Sequence, residues 1–253
     1  MSGWRVIAVD LRGHSDSQGP RDGRSSMYAY VGDLSELVRQ HATGPVAIVA
    51  HSFGAKVALH YAGVYPESVR CLVAIEGLEV WPARRAHWEG LPAAQRLRVW
   101  IEDQRSIGAR SPATYPSIEA AAERLLAKHQ NLSAGQALHL ARDGVRQRED
   151  GSFEWKYHAN NWVPPPYDIV RSDTYDLWSR IECPVLLMHG ATSHVPPPHP
   201  HLRHFRGAQT CVFAHSGHFP QHDELDLFIE RVADFIDAGD TSGRDCALSI
   251  NPT

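Results

Sequence analysis

Three short apolar runs, at residues 6–9 (VIAV), 46–50 (VAIVA) and 71–75 (CLVAI), are continuous rather than alternating and rich in β-branched side chains. A strand with one solvated face alternates in polarity, so continuous runs fit strands covered on both faces of a parallel sheet. Between the first two runs, Met27–His41 carries Tyr30, Leu34, Leu37 and Val38 at helical spacing. Between the second and third, residues 54–65 place Val57, Ala58, Tyr61 and Ala62 on one stripe, and Pro66 follows as a stop. Strand, helix, strand, helix, strand is the α/β pattern. It returns near the C-terminus, with strands at 184–189 (PVLLMH) and 210–214 (TCVFA) and an amphipathic helix over Leu225–Ala238.

Residues 81–179 have a different texture. Helical periodicity marks 93–104, 118–130 and 134–147, and Ser133 with Gln136 fits a capping box for the third. No buried-strand run occurs there, and six of the seven tryptophans lie within or at its edge. The expected organisation is an α/β core over 1–80 and 180–238, an inserted helical cap over 81–179, and a flexible tail over 239–253.

Composition narrows the function classes. The 253 residues are 43% apolar and 21% charged, which suits a folded domain rather than a disordered chain. No apolar run approaches the ~20 residues that span a bilayer, and the N-terminus lacks the basic, apolar and small-residue succession of a secretory leader. Net charge is −4 and the 22 arginines are dispersed, so neither nucleic acid nor membrane is expected as a partner. Cys71, Cys183, Cys211 and Cys246 match neither a zinc site nor a redox pair. A reduced, cytoplasmic protein is the simplest account. The histidine-rich stretch 194–204 carries three consecutive prolines, which favour an extended segment over a converging ligand set, so no metal is expected.

The sharpest motif follows the second strand: Ala50-His51-Ser52-Phe53-Gly54. A tight strand-to-helix turn lifts a hydroxyl clear of the sheet, and small neighbours are expected where the backbone is crowded. The Phe53 N–H would then face a developing oxyanion at the helix start. Here the sequence resembles the α/β-hydrolase superfamily. Asp10-Leu11-Arg12-Gly13-His14-Ser15-Asp16-Ser17 is similar to the loop after that family's fourth strand, and Ser216-Gly217-His218 to its catalytic histidine loop. The resemblance implies an α/β-hydrolase fold with a mostly parallel sheet, and a nucleophilic Ser52. Epoxide hydrolases and haloalkane dehalogenases of this fold use an aspartate there, so serine argues against both.

His218 is the candidate general base, with His215 and His222 as local competitors. The acid is less direct. Most relatives carry an aspartate three residues after the glycine that ends the seventh strand, and Ser193 occupies that place here. A neutral hydroxyl cannot stabilise an imidazolium as a carboxylate does. Glu76, at the end of the strand VRCLVAIE, is the best alternative, and Glu79 a distant second. A group of serine-hydrolase-like proteins with a helical cap looks particularly similar, through the Ile75-Glu76-Gly77 strand end, Tyr115-Pro116-Ser117 and Asn131-Leu132-Ser133. On this reading Glu76→Gln should cost several orders of magnitude and Ser193→Ala little.

The family's sheet has three strands before the 10–17 loop, and the third leads into a His-Gly loop that donates a second oxyanion N–H. Those strands with their turns and one helix would take roughly 40–50 residues. The expectation is an N-terminally truncated fold: Met1 is an internal start, and the functional protein is longer. The strand at residues 6–9 should then either lose its neighbour or pair directly with the strand leading to Ser52. Two functions are in play. One is a serine hydrolase of a small or medium carboxylic ester, thioester or amide, needing a small-molecule acyl substrate and no cofactor. The other is a catalytically silent, ligand-binding version of the same fold, motivated by Ser193 and the absent oxyanion loop.

Overall fold

The computed structural model describes residues 4–19, 26–78, 90–108, 112–129, 131–157, 168, 170–193 and 201–238. Chain order is α1 (Met27–His41), β1 (Val46–His51), α2 (Ser52–Val64), β2 (Val69–Ile75), α3 (Ala93–Gly108), β3 (Thr114–Tyr115), α4 (Ile118–Lys128), α5 (Ala134–Gly144), β4 (Val145–Gln147), β5 (Phe153–Trp155), α6 (Arg171–Ser179), β6 (Val185–Gly190), β7 (Gln209–Phe213), α7 (Pro220–Asp223) and α8 (Leu225–Ala238). The described residues also hold short 3₁₀ turns at Pro66–Ser68 and Leu202–His204.

Four parallel strands form the main sheet in the order β1-β2-β6-β7. The continuous apolar runs fall where both faces are covered. In β2 every residue but Arg70 is buried, and in β6 all six are. Alternate side chains feed two cores. Leu72, Ala74, Val185 and Leu187 join α1, α2 and Trp178 of α6 on one face. Cys71, Val73, Ile75, Leu186 and Met188 join Val232, Phe235 and Ile236 of α8 on the other. Because β1, β2, β6 and β7 run parallel, their carboxyl ends share one edge. In open α/β sheets that edge is where ligands bind.

Residues 6–9 depart from the sequence expectation of a buried strand. They form no strand among the described residues, and Val6, Ile7 and Val9 are exposed, Val6 at 82%. Of the two outcomes foreseen, the run lacks a neighbour rather than pairing with β1. Among the described residues β1 is therefore an edge strand, with Val49 exposed at 44%. An apolar run becomes a strand only where a free ladder edge accepts it at the right distance.

The segment between β2 and α6 also holds more than helices. β3, β5 and β4 make a small antiparallel sheet in that order. The helix expected over 134–147 stops at Gly144, and Val145–Gln147 becomes β4. Its N-terminus is as read: Ser133 and Gln136 form a reciprocal capping box. Ala121, Ala122, Ala137, Ala141 and Val145 make a separate small core. Trp81, Arg84, Arg85, Glu79, the proline-rich 194–200 and the tail 239–253 lie outside the described residues.

Candidate active site

Ser52 opens α2 directly after β1, with φ of 52°. Left-handed backbone at a residue with a Cβ is strained by about 1–2 kcal/mol and persists only when its surroundings enforce it. Glu76 follows β2 with φ of 53°. Two of the three non-glycine residues with positive φ among the described residues are thus the candidate nucleophile and acid.

The crowding expected at Gly54 is found elsewhere. A Cβ at Gly54 would meet nothing within 4 Å. At Gly77, beside Glu76, it would lie 2.3 Å from the Ala55 Cβ and 3.1 Å from the Ser52 carbonyl oxygen. At Gly190 it would lie 2.0 Å from the Gly217 oxygen and 2.4 Å from the Ser216 oxygen. These two glycines let the ends of β2 and β6 close against the turn of Ser52 and the loop of His218.

His218 lies between β7 and α7, on a loop anchored by carboxylates. Glu224 accepts from the His215 N–H at 3.0 Å and the Ser216 hydroxyl at 2.5 Å, and Asp223 from the Gly217 N–H at 2.8 Å. The His218 ring meets both partners. Its Nε2 is 3.0 Å from Ser52 Oγ, and its Nδ1 is 3.3 Å from Glu76 Oε2. Since a carboxylate only accepts, Nδ1 carries the ring proton and Nε2 is left to accept from the serine hydroxyl. His215 and His222 make no such pair among the described contacts.

The Glu76 side chain is fully buried. Burial pushes its carboxyl up, but hydrogen bonds from His218, Ser193 and the Gly190 N–H outweigh it and hold the group below the ordinary carboxylate range. Gly190 donates to Oε1 at 2.8 Å and Ser193 to Oε2 at 2.5 Å. Ser193, read in the sequence only as the place of a lost acid, is thus a donor to the carboxylate. Nothing local in the sequence signals this, because the partners are 117 residues apart.

Phe53 lies in the first turn of α2, where a backbone N–H has no intrahelical acceptor. Its ring packs edge-on against Tyr30 at 4.8 Å and stacks near His14 of the 10–17 loop at 6.3 Å. No group of three or more His, Cys, Asp or Glu side chains among the described residues is arranged to hold a metal ion. Among them, too, no helix is long and apolar enough to cross a membrane.

A parallel sheet with a strained serine turn and a histidine and carboxylate converging on it at the strands' carboxyl ends defines a hydrolase-type α/β protein. The model of the alpha/beta hydrolase fold family matches residues 2–225, and the chain belongs to that family. Its relatives include the 2-(acetamidomethylene)succinate hydrolase of Mesorhizobium japonicum, 30% identical over 219 residues that cover 79% of this chain and 75% of the relative. The pimeloyl-[acyl-carrier protein] methyl ester esterase of Neisseria meningitidis is 25% identical over 247 residues, covering 93% and 84%. The crystal structure of E-2-(acetamidomethylene)succinate hydrolase superposes with a TM-score of 0.71 at 22% identity, covering 90% of this chain and 80% of that one.

Proposed function

We propose that this chain is a serine hydrolase that cleaves a small or medium carboxylic ester through an acyl-enzyme. The observation that carries the reading is the continuous relay from Ser52 Oγ to His218 Nε2 at 3.0 Å and from His218 Nδ1 to Glu76 Oε2 at 3.3 Å. Ser52 Oγ attacks the carbonyl carbon as its proton passes to His218 Nε2. Glu76 stabilises the imidazolium that results, and stays ionised because its own hydrogen bonds favour the charged form. The Phe53 N–H donates to the developing oxyanion. Collapse expels the alcohol, which takes the proton from His218. Water, deprotonated by His218, then releases the acid and restores Ser52. Nucleophile, base and acid come from the chain, so the chemistry calls for no cofactor.

Residues 81–179 act in this reading as a cap over the site. Support comes from contacts that join it to the segments after β6 and β7 and to the 10–17 loop. Asn131 donates to Thr192 Oγ1 at 2.9 Å, and Gln136 to the His222 carbonyl. Lys156 pairs with Asp16 at 3.2 Å, and Tyr157 bridges His14. The names of the hydrolase and esterase relatives support the reaction class. A cytoplasmic setting belongs to the proposal, in keeping with free thiols at Cys183 and Cys211.

A fluorophosphonate probe tests the reading. Covalent labelling at Ser52 that is absent in Ser52→Ala and at least ~10²-fold slower in His218→Ala supports it. A folded wild-type protein that takes no label overturns it, and leaves the silent ligand-binding fold.

A further inference from the structure

One half-buried ring at the site has no part in the relay. His51 is the last residue of β1, covalently joined to Ser52, and its ring lies 4.8 Å from that of His218 and 5.2 Å from that of Phe219. Its Nε2 is 2.6 Å from the backbone carbonyl oxygen of His218. A carbonyl oxygen can only accept, so this nitrogen carries a proton and donates. We propose that His51 is a positioning residue for the general base, tying the nucleophile's turn to the loop that carries His218. The inference rests on the serine hydrolase reading and names a residue that the relay itself does not include.

The geometry makes the bond more than a packing contact. Ser52 and His218 are already joined through Oγ and Nε2. The bond from His51 adds a second connection between the same two chain segments, from the neighbour of one to the backbone of the other. The contacts with Ser52 and Glu76 hold the two ring nitrogens, but neither fixes the main chain that carries the ring. Two connections, one to the ring and one to the main chain, also fix the ring's direction of approach. The carboxylate anchors from Glu224 and Asp223 hold residues 215–217. The bond from His51 holds the residue that bears the base.

The anchor must also remain uncharged, because the neighbouring ring becomes an imidazolium during turnover. Burial, followed by the proximity of His218, pushes His51 down to about 4. At neutral pH it is therefore a neutral donor with its one proton on Nε2, and sets no like charge against His218. Lysine or arginine could supply a donor here but would oppose the charge that catalysis creates.

The test uses the full chain with a p-nitrophenyl ester and the fluorophosphonate probe. His51→Gln keeps an amide N–H at similar reach, whereas His51→Met fills the space without a donor. His51→Phe serves as the second donorless variant if the methionine protein does not fold. In a folded donorless variant, kcat and labelling rate should fall by about 10–100-fold with KM within about two-fold, the scale of a misplaced catalytic group. His51→Gln should recover most of that loss. Equal activity in donorless variant and wild type overturns the inference, as do equal losses in both variants or a loss confined to KM. Failure of the hydrolase reading looks different: wild type then takes no more label than Ser52→Ala, and His51 loses its role with it.

Discussion

Ser193 donates its hydroxyl to Glu76 Oε2 at 2.5 Å, and the same carboxylate oxygen lies 3.3 Å from His218 Nδ1. The residue at the expected place of an acid thus holds the carboxylate that arrives from the neighbouring strand. The sequence alone predicts little effect for Ser193→Ala, and the hydrogen bond changes that expectation. Loss of one bond to a charged group should lower kcat/KM by about 10-fold. Glu76→Gln should cost about 10⁴-fold, since the amide can no longer offset the imidazolium. Steady-state kinetics on one ester would compare the two, and equal losses would contradict the division of labour.

On the proposed mechanism, the same contact allows the acid to be moved. With the Ser193 hydroxyl already beside Oε2, a carboxylate introduced at 193 reaches the neighbourhood of His218 Nδ1. Glu76→Gln combined with Ser193→Asp should therefore recover at least about 10-fold over Glu76→Gln alone, a coupling expected of residues in one hydrogen-bond network. Simple addition of the two single effects in this cycle would count against a shared role.

Glycine substitutions separate crowded from open positions. Gly77→Ala forces a Cβ to 2.3 Å from that of Ala55, and must push β2 away from the serine turn. Overpacking of this kind costs about 1–3 kcal/mol, or about 2–10 °C in melting temperature for a chain of this size, and labelling of Ser52 should slow as well. Gly54→Ala meets open space inside a helix and should be neutral or slightly stabilising. Thermal melts of both variants check the contrast.

These contrasts show what the sequence could reveal. The helices Met27–His41 and Leu225–Ala238 end where periodicity and flanking residues end them, and β2 and β6 announce themselves as unbroken apolar runs because both faces are covered. Residues 6–9 carry the same signature without becoming a strand, since hydrophobicity reports a tendency to be buried and not a ladder edge to join. The end of α5 was hidden for a related reason. Ala137, Ala141 and Val145 continue one helical stripe into the small core, while Gly144 ends the helix against the Trp155 ring. Ser52 and His218 were legible because their motifs are local. The bonds from Ser193 to Glu76 and from His51 to His218 join residues 117 and 167 positions apart, and only the folding of the sheet brings them together.

Acid should destabilise the protein through His51. Its folded value of about 4 lies below the ordinary 6.5, so between those values the unfolded chain binds the proton more readily. The stability it contributes is complete above pH 6.5 and is lost as pH falls toward 4. Burial is the first cause of this value; the His218 and His222 rings also disfavour the charge, while the hydrogen bond to the His218 carbonyl and the nearby Glu76 favour it. Denaturant melts at stepped pH should show the wild type falling relative to His51→Gln across this window, by at most about 1.4 kcal/mol per pH unit for one proton. Parallel curves for the two proteins would contradict the assignment.

The unpaired side of β1 sets the last expectation. Among the described residues β1 ends the sheet, Val49 is 44% exposed, and residues 4–10 run without joining a ladder. A flat, apolar strand with free N–H and C=O groups is a template for pairing with other chains. Ile48 and Ala50 pack into the core beneath α2, and Ala47 packs toward α8. Val49 is therefore the position at which a charge disturbs the edge without reaching the interior. Val49→Lys should slow concentration-dependent association, read by light scattering, while leaving Ser52 labelling within about two-fold, since charges blunt edge pairing and the side chain points to solvent. If Val49→Lys associates as fast as wild type, pairing through this edge is not what drives it.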